Sequence, residues 1–453
     1  MLSKVERVLI LITLMLGTFT TAMTVTVTAT MLPAIIIDYQ IATSVAQWLT
    51  SGATLVSGIM IPIAAYLIKR INSKKYFIMS MLVFCTGALL GASASNFTVL
   101  LIGRFVQAAG CGMLMPFSQI VIMTIYPKEK HGLVMGIYAL GSTVASVIAP
   151  SLAGLLIDYL GWQSVFKILL IIGVIITILG ILFMKDVTEI YQQSFPGLPI
   201  ILSSVGFCGV LIGLGNMNES IISLKSGGTL MVGLCFLILF VFMQLKSVDP
   251  FLNLRVFHHR TFRTAVLISI TMYLISMGSG SILPLYVQSA LGNSATTYAL
   301  ITLPGALIMG FVTVFSGKIY DKIGAKILVL SGGVMLLLGS GAGMFFSKNS
   351  SLFYIGVVSC IISTGAGFLN TPATTMALSN LKGRDRVDGS SILNTLRQIS
   401  SSMATTLAVL VYSGISARLD ILTGIKATYI YFGAVSFVTI IIAVKSFINA
   451  GKA

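Results

Sequence analysis

Charge is what this 453-residue chain has least of: only 9% of its residues are Asp, Glu, Lys or Arg, against about a quarter in soluble domains. With 56% hydrophobic residues and a mean hydropathy of +1.01, the deficit excludes a soluble globular fold and leaves an all-α integral membrane protein. Acid is scarcer still. All twelve carboxylates, from Glu6 to Asp420, are expected in loops or at helix ends, and His131, His258 and His259 in loops. The interior of the bundle thus lacks a group that titrates near neutral pH, the role usually filled there by Asp, Glu or His. Asp38, Asp158 and Glu219, on the external side, are the nearest candidates. No phosphate-binding loop, nucleophile–base pair or metal-ligand spacing is present, so neither ATP-driven work, an enzyme, a cofactor nor a metal is expected. The five cysteines, Cys85, Cys111, Cys208, Cys235 and Cys360, fall in apolar stretches and read as small buried hydrophobes.

The charge that is present is basic, 28 Lys and Arg for a net +16. Its distribution speaks against a nucleic-acid partner. At about 20 apolar residues per span, the chain divides into fourteen helices, from 8–30 at one end to 389–416 and 427–447 at the other. Most basic residues then fall on one side of the membrane, the positive-inside pattern. Fourteen is even, so both termini share a side, and Lys4, Arg7, Lys445 and Lys452 make it the cytoplasm. The opening MLSKVERVLI runs directly into a span without a small-residue cleavage site, which reads as a retained first helix.

An internal repeat organises these helices. Ala109–Leu114 (AGCGML) answers Thr364–Leu369 (TGAGFL), Ala65–Lys75 answers Gly317–Lys326 (GKIYDKIGAK), and Lys128–Gly132 answers Arg384–Gly389. Paired six-helix repeats are a secondary-transporter signature. The expected organisation is 6+2+6: an N-terminal six-helix half over 1–190, two inserted helices over 191–250, and a C-terminal half over 251–453. The basic loop Lys246–Arg263 reads as the connector into the second half.

Together with Gln47–Thr50 (QWLT) and Leu100–Gln107 (LLIGRFVQ), these motifs resemble the major facilitator superfamily, in its fourteen-helix drug:proton antiporter branch of lincomycin-resistance-type multidrug exporters. The resemblance spans nearly the whole chain. It implies a multi-pass protein of the bacterial plasma membrane, a monomer in contact with lipid, taking a small-molecule substrate and protons or another ion. It also implies that the loops carrying Lys69, Arg70 and Lys74, and Gly317, Asp321, Lys322 and Gly324, gate a rocking of the halves. Asp321 is positioned to cap the helix that follows it. In the first copy the acidic position is Lys69, which makes that latch look degenerate. Pro150, within Ala149–Gly154, stands for the antiporter motif of helix five, where a kink closes against another helix or is a plain packing bend.

Where resembling exporters carry an acid in helix one, this chain has Thr24, on one face with Thr20 and Thr28. Such hydroxyls either meet a substrate or bond back to their own helix. Two basic residues lie inside spans, Arg104 and Arg397. Each is a candidate for function. Arg104 otherwise rests on backbone carbonyls, and Arg397 otherwise snorkels to the interface. Gln107, Gln119, Tyr138, Tyr273, Asn370 and Gln398 complete the polar candidates, with Gln288, and Met113, Met115 and Phe368 supply an adaptable apolar wall. The function implied by the resemblance is secondary active export of amphipathic organic compounds by alternating access. Two alternatives stand beside it: movement of an anionic metabolite, nucleotide or lipid-like anion held by Arg104 and Arg397, and a transport-inactive sensor or partner scaffold.

Overall fold

The computed structural model describes residues 2–191, 196–216 and 224–450. Glu219 and Lys452 lie outside the described residues. Among the described residues there is no strand, and fourteen helices are long and apolar enough to cross a membrane. In chain order they are α1 (Lys4–Tyr39), α2 (Trp48–Arg70), α3 (Ser73–Ala92), α4 (Phe97–Ile125), α5 (His131–Leu160), α6 (Gln163–Phe183) and α7 (Gly197–Asn216). They continue as α8 (Leu224–Lys246), α9 (Arg260–Pro284), α10 (Ala295–Ile323), α11 (Ala325–Gly343), α12 (Leu352–Leu378), α13 (Gly383–Ser416) and α14 (Ile421–Ala450). Helix is the form a spanning segment takes because lipid offers nothing to unpaired N–H and C=O groups.

Short polar residues set several helix starts. Ser3 and Glu6 form a capping box on α1, at 3.2 and 2.8 Å, and Asn96 Oδ1 accepts from the backbone N–H of Val99 at 3.0 Å where α4 begins. Two ends differ from expectation. α13 begins at Gly383, six residues before the expected 389, so Asp385, Arg386 and Asp388 are helical. Asp385 accepts from Asn253 Nδ2 at 2.8 Å, and the partners of Arg386 and Asp388 on neighbouring segments are described below. His131, expected in a loop, is the buried first residue of α5, its Nε2 2.9 Å from the carbonyl of Tyr126.

The same pairings recur in both parts of the chain. α1 lies against α5 and α6, α2 against α4, and α3 against α4 and α6; correspondingly α9 meets α13 and α14, α10 meets α12, and α11 meets α12 and α14. Small residues permit these crossings, since in lipid helices associate through close van der Waals contact. A Cβ on Gly110 of α4 would lie 2.7 Å from the backbone N of Phe84 on α3, and one on Gly365 of α12 would lie 2.9 Å from the Gly332 carbonyl of α11.

Between the two sets, α5 runs along α10 and α2 along α13. α7 and α8 pack together, a Cβ on Gly209 reaching within 2.5 Å of Gly233. α7 covers the seam between α2 and α13, where Thr406 Oγ1 donates to the Leu214 carbonyl at 3.1 Å. The segment joining α8 to α9 is docked on the bundle, with Phe251 and Leu252 buried, and does not float as a solvated connector. Cys85 and Cys111 are buried as expected of small hydrophobes, but Cys235 is exposed on the outer face of α8.

Candidate functional site

A cavity of about 360 Å³ lies between the two six-helix sets, at the small end of the usual ligand-pocket range. From α4 and α5 it receives Arg104, Met115, Gln119 and Tyr138; from α9, α12 and α13 it receives Tyr273, Asn370, Arg397 and Gln398. All eight were legible as candidates in the sequence. Thr18 and Thr374 were not, being two hydroxyls among many. Thr18 Oγ1 donates to the Tyr138 hydroxyl at 3.1 Å, and Thr374 Oγ1 accepts from Arg397 at 2.7 Å.

Other candidates pack behind the wall. Thr24 and Thr28 are buried and donate to the carbonyls of Thr20 and Thr24, both at 2.7 Å. Their hydroxyls are therefore spent inside α1. Gln107 is buried against Arg104, Met113 is buried with its carbonyl accepting from Tyr76, and Phe368 does not reach the cavity. Gln288 is exposed at the far end of α9, in a π-helical turn over Leu285–Ala290. Pro150 is exposed and a Cβ on Gly154 would meet nothing within 4 Å, while Ala149 and Ala153 are buried on the other face of the helix, so the Pro150 and Gly154 positions themselves make no close helix contact.

The two arginines are held differently. Arg104 makes three hydrogen bonds: Nε to the Leu49 carbonyl at 3.2 Å, Nη1 to Gln107 Oε1 at 2.8 Å and Nη2 to the Thr24 carbonyl at 3.1 Å. Arg397 makes two, both from Nη2, to Ser269 Oγ at 3.2 Å and Thr374 Oγ1 at 2.7 Å, with its guanidinium 5.7 Å from the centre of the Tyr273 ring. Arg397 is 7% exposed within the bundle, so it does not snorkel.

One end of the cavity is closed in layers. Nearest the cavity, Asn394 Nδ2 and Ser390 Oγ both donate to Gln119 Oε1, at 2.8 and 3.1 Å, joining α13 to α4. Beyond them the two repeat loops make latches of opposite construction. Asp321 accepts from the backbone N–H groups of Gly132 and Leu133 at 2.7 and 2.8 Å. It therefore caps α5 of the opposite set and not α11, the next helix in sequence, because Gly132 and Gly317 let the two backbones touch.

In the other latch Lys69 replaces the acid. Its ammonium meets Asp388 of α13 at 2.8 Å and donates to the Phe251 carbonyl at 2.9 Å, both charges wholly buried. Asp388 also accepts from the backbone N–H of Asn253 at 3.2 Å. This corrects two expectations: the first latch is inverted in charge and intact, and one carboxylate lies inside a helix, fully buried. The signal was in the repeat, since an exchange of acid for base at Lys69 calls for an acid on the facing helix, and Asp388 precedes Gly389 there. Arg386 adds a third tie, donating to the Met123 carbonyl at the end of α4 at 2.7 Å.

The remaining gate candidates sit at this end without bridging the sets. Arg70 donates to the Tyr66 hydroxyl at 3.0 Å, the backbone N–H of Lys74 donates to Asp186 at 3.0 Å, Lys322 is exposed, and Gly324 supplies the positive φ of 76° between α10 and α11. At the opposite end the cavity reaches Thr50 and Val25, the latter 59% exposed, and so stands open there. Of the carboxylates expected on the external side, Asp38 accepts from Trp162 Nε1 at 2.9 Å and Asp158 is exposed; neither lines the cavity.

Comparison with known proteins agrees with this architecture. The family model of the Major Facilitator Superfamily matches residues 14–405. The MFS-type transporter YcnB of Bacillus subtilis is 35% identical over 410 residues, covering 89% of this chain and 86% of that protein. The lincomycin resistance protein LmrB of Bacillus subtilis is 32% identical over 384 residues, covering 82% and 78%. The crystal structure of the human organic anion transporter MFSD10 superposes with a TM-score of 0.69 over 96% of this chain and 99% of that one; at 12% identity the likeness concerns the fold. A fourteen-helix bundle built on paired six-helix repeats, enclosing a cavity latched at one end, is thus a transporter and not an enzyme: the chain belongs to the Major Facilitator Superfamily, as a multi-pass membrane protein.

Proposed function

We propose that this transporter exports small amphipathic organic compounds by alternating access, with the latched end facing the cytoplasm. The observation that carries the reading is the cavity itself, closed by cross-set ties at one end, open at the other, and lined by amides, hydroxyls and guanidinium groups with Ala, Val and Met among them. Such a wall suits cargo with a polar head and an apolar body, and flexible thioethers tolerate varied shapes. Similarity to a lincomycin resistance protein supports drug-like cargo.

Orientation follows from charge. Lys4, Arg7, Lys75, Lys128, Arg260 and Lys326 all belong to the latched end, which the positive-inside pattern assigns to the cytoplasm. The structure then corresponds to an outward-facing form, and loading requires both latches to part while the opposite ends of α5 and α10 close. The cavity is complete within one chain, so a monomer suffices. Efflux of a panel of lipophilic drugs and dyes, in cells with and without the protein, tests the reading; equal retention across the panel would overturn it.

A further inference from the structure

We propose that Arg397 is the anchoring site for an anionic group on the cargo, so that the transported class is small organic anions and the driving force is the membrane potential. The inference rests on the export reading above and narrows it.

The argument starts from the contrast between the two buried arginines. Arg104 spends Nε, Nη1 and Nη2 on three acceptors, two of them backbone carbonyls of α1 and α2. It is a tie between helices. Arg397 has the same five N–H donors, yet both of its hydrogen bonds leave from Nη2 and end on neutral hydroxyls. Its Nε is buried with no partner, and none of the ion pairs among the described residues includes it. A guanidinium buried without a counter-anion is a costly arrangement, and inside a membrane such a charge marks a substrate path.

The surroundings fit an incoming anion. Asn370 and Gln398 stand beside Arg397 on the cavity wall, both half-buried, and neither side-chain amide bonds another described residue. Their N–H groups are free to share an anion's remaining oxygens. Tyr273 presents its ring to the guanidinium, which steadies the cation without neutralising it. The wall from α9, α12 and α13 is polar, and the facing helices add Val25, Ala53, Ala108 and Met115 as apolar contacts among Thr54, Ser57 and Arg104. The arrangement therefore selects a single acidic head on an aromatic or aliphatic body. Organic cations meet two positive charges there and no carboxylate, since among the described residues no Asp or Glu lines the cavity.

The same census bears on coupling. Among the described residues neither a carboxylate nor an imidazole lines the cavity, so none of them on its wall exchanges a proton near neutral pH for each molecule carried. None is required. Over a complete cycle the protein returns to its starting state, and the only net charge moved is that of the cargo. Carrying one negative charge outward runs down an inside-negative potential.

Full-length protein in liposomes, with the potential clamped by a potassium gradient and valinomycin, gives the test. The probes are a monoanionic sulfonated naphthalene dye and a phenanthridinium cation. We expect the anion to be carried, with a rate that rises several-fold when its own side is made negative and stays constant under a pH gradient at zero potential. Arg397→Gln should lower anion transport at least tenfold, and Arg397→Lys should restore part of it. Should Arg397→Gln fail to fold, the dependence of the wild-type rate on potential still decides. Transport of the cation in preference to the anion, an anion rate set by pH and not by potential, or full anion transport by folded Arg397→Gln would overturn the inference and leave the export reading standing. Failure of the folded protein to move either dye would overturn both.

Discussion

Lys69 and Asp388 meet at 2.8 Å across the two six-helix sets, both wholly buried, at a position where the other repeat uses a carboxylate on a helix N-terminus. Removing either partner leaves an uncompensated buried charge, which typically costs about 3–5 kcal/mol. Lys69→Ala and Asp388→Ala should each shift the population strongly toward a form open at the latched end, and the double exchange Lys69→Asp/Asp388→Lys should recover much of the closed form. Spin-label distances between the latched ends of α2 and α13 report this. An unchanged distance in both single variants would show that the pair does not hold the gate.

The second latch is weaker in charge and tighter in shape. Asp321→Asn keeps one acceptor on α5 and should cost about 1 kcal/mol. Gly132→Ala should cost more, because the added methyl group would collide with the Gly317 carbonyl, which is backbone and has nowhere to go. With Ser390→Cys as a reporter, buried in the present form, alkylation by an impermeant maleimide should be faster in Gly132→Ala than in Asp321→Asn. The reverse order would contradict this account.

Arg104 is expected to act on stability before affinity. It joins α4 to α1 and α2 through hydrogen bonds to charged nitrogen, each about 1.5–3 kcal/mol. Arg104→Gln should lower the thermal midpoint by several degrees, and Gln107→Ala, which removes one of the three acceptors, by less. If Arg104→Gln keeps its midpoint and loses only cargo affinity, the residue belongs with Arg397.

Glycine substitutions should divide by position. Gly110→Val drives a side chain into the Phe84 backbone and should abolish monodisperse protein, whereas Gly154→Val, beside open space, should express normally. Equal yields from the two would mean that α3 and α4 tolerate separation.

Much of the fold was legible because membrane folding writes itself into composition: fourteen apolar runs, basic loops and a repeat of glycine spacings leave few architectures. The cavity was legible for a related reason. A polar group inside an apolar span must face protein or water, so Arg104, Tyr138, Asn370 and Arg397 could be singled out without knowing their neighbours. Burial depth was harder to read. Thr24 and Gln107 have the same chemistry as wall residues, and only the rotation of α1 and α4 puts them behind the wall.

What the sequence by itself determined is the class, the spans and the inventory of charges, since these depend on residue type and on the cost of placing it in lipid. Only the tertiary structure decided which charges meet. Lys69 and Asp388 are 319 residues apart, Asp321 and Gly132 are 189 apart, and each pairing exists because two helices from different repeats approach within hydrogen-bond reach. It decided likewise that Arg104 spends all three of its nitrogens on neighbouring acceptors, whereas Arg397 bonds through Nη2 alone and leaves a buried Nε without a partner. That difference lies in the acceptors the surrounding helices bring to each guanidinium, which no property of arginine alone contains.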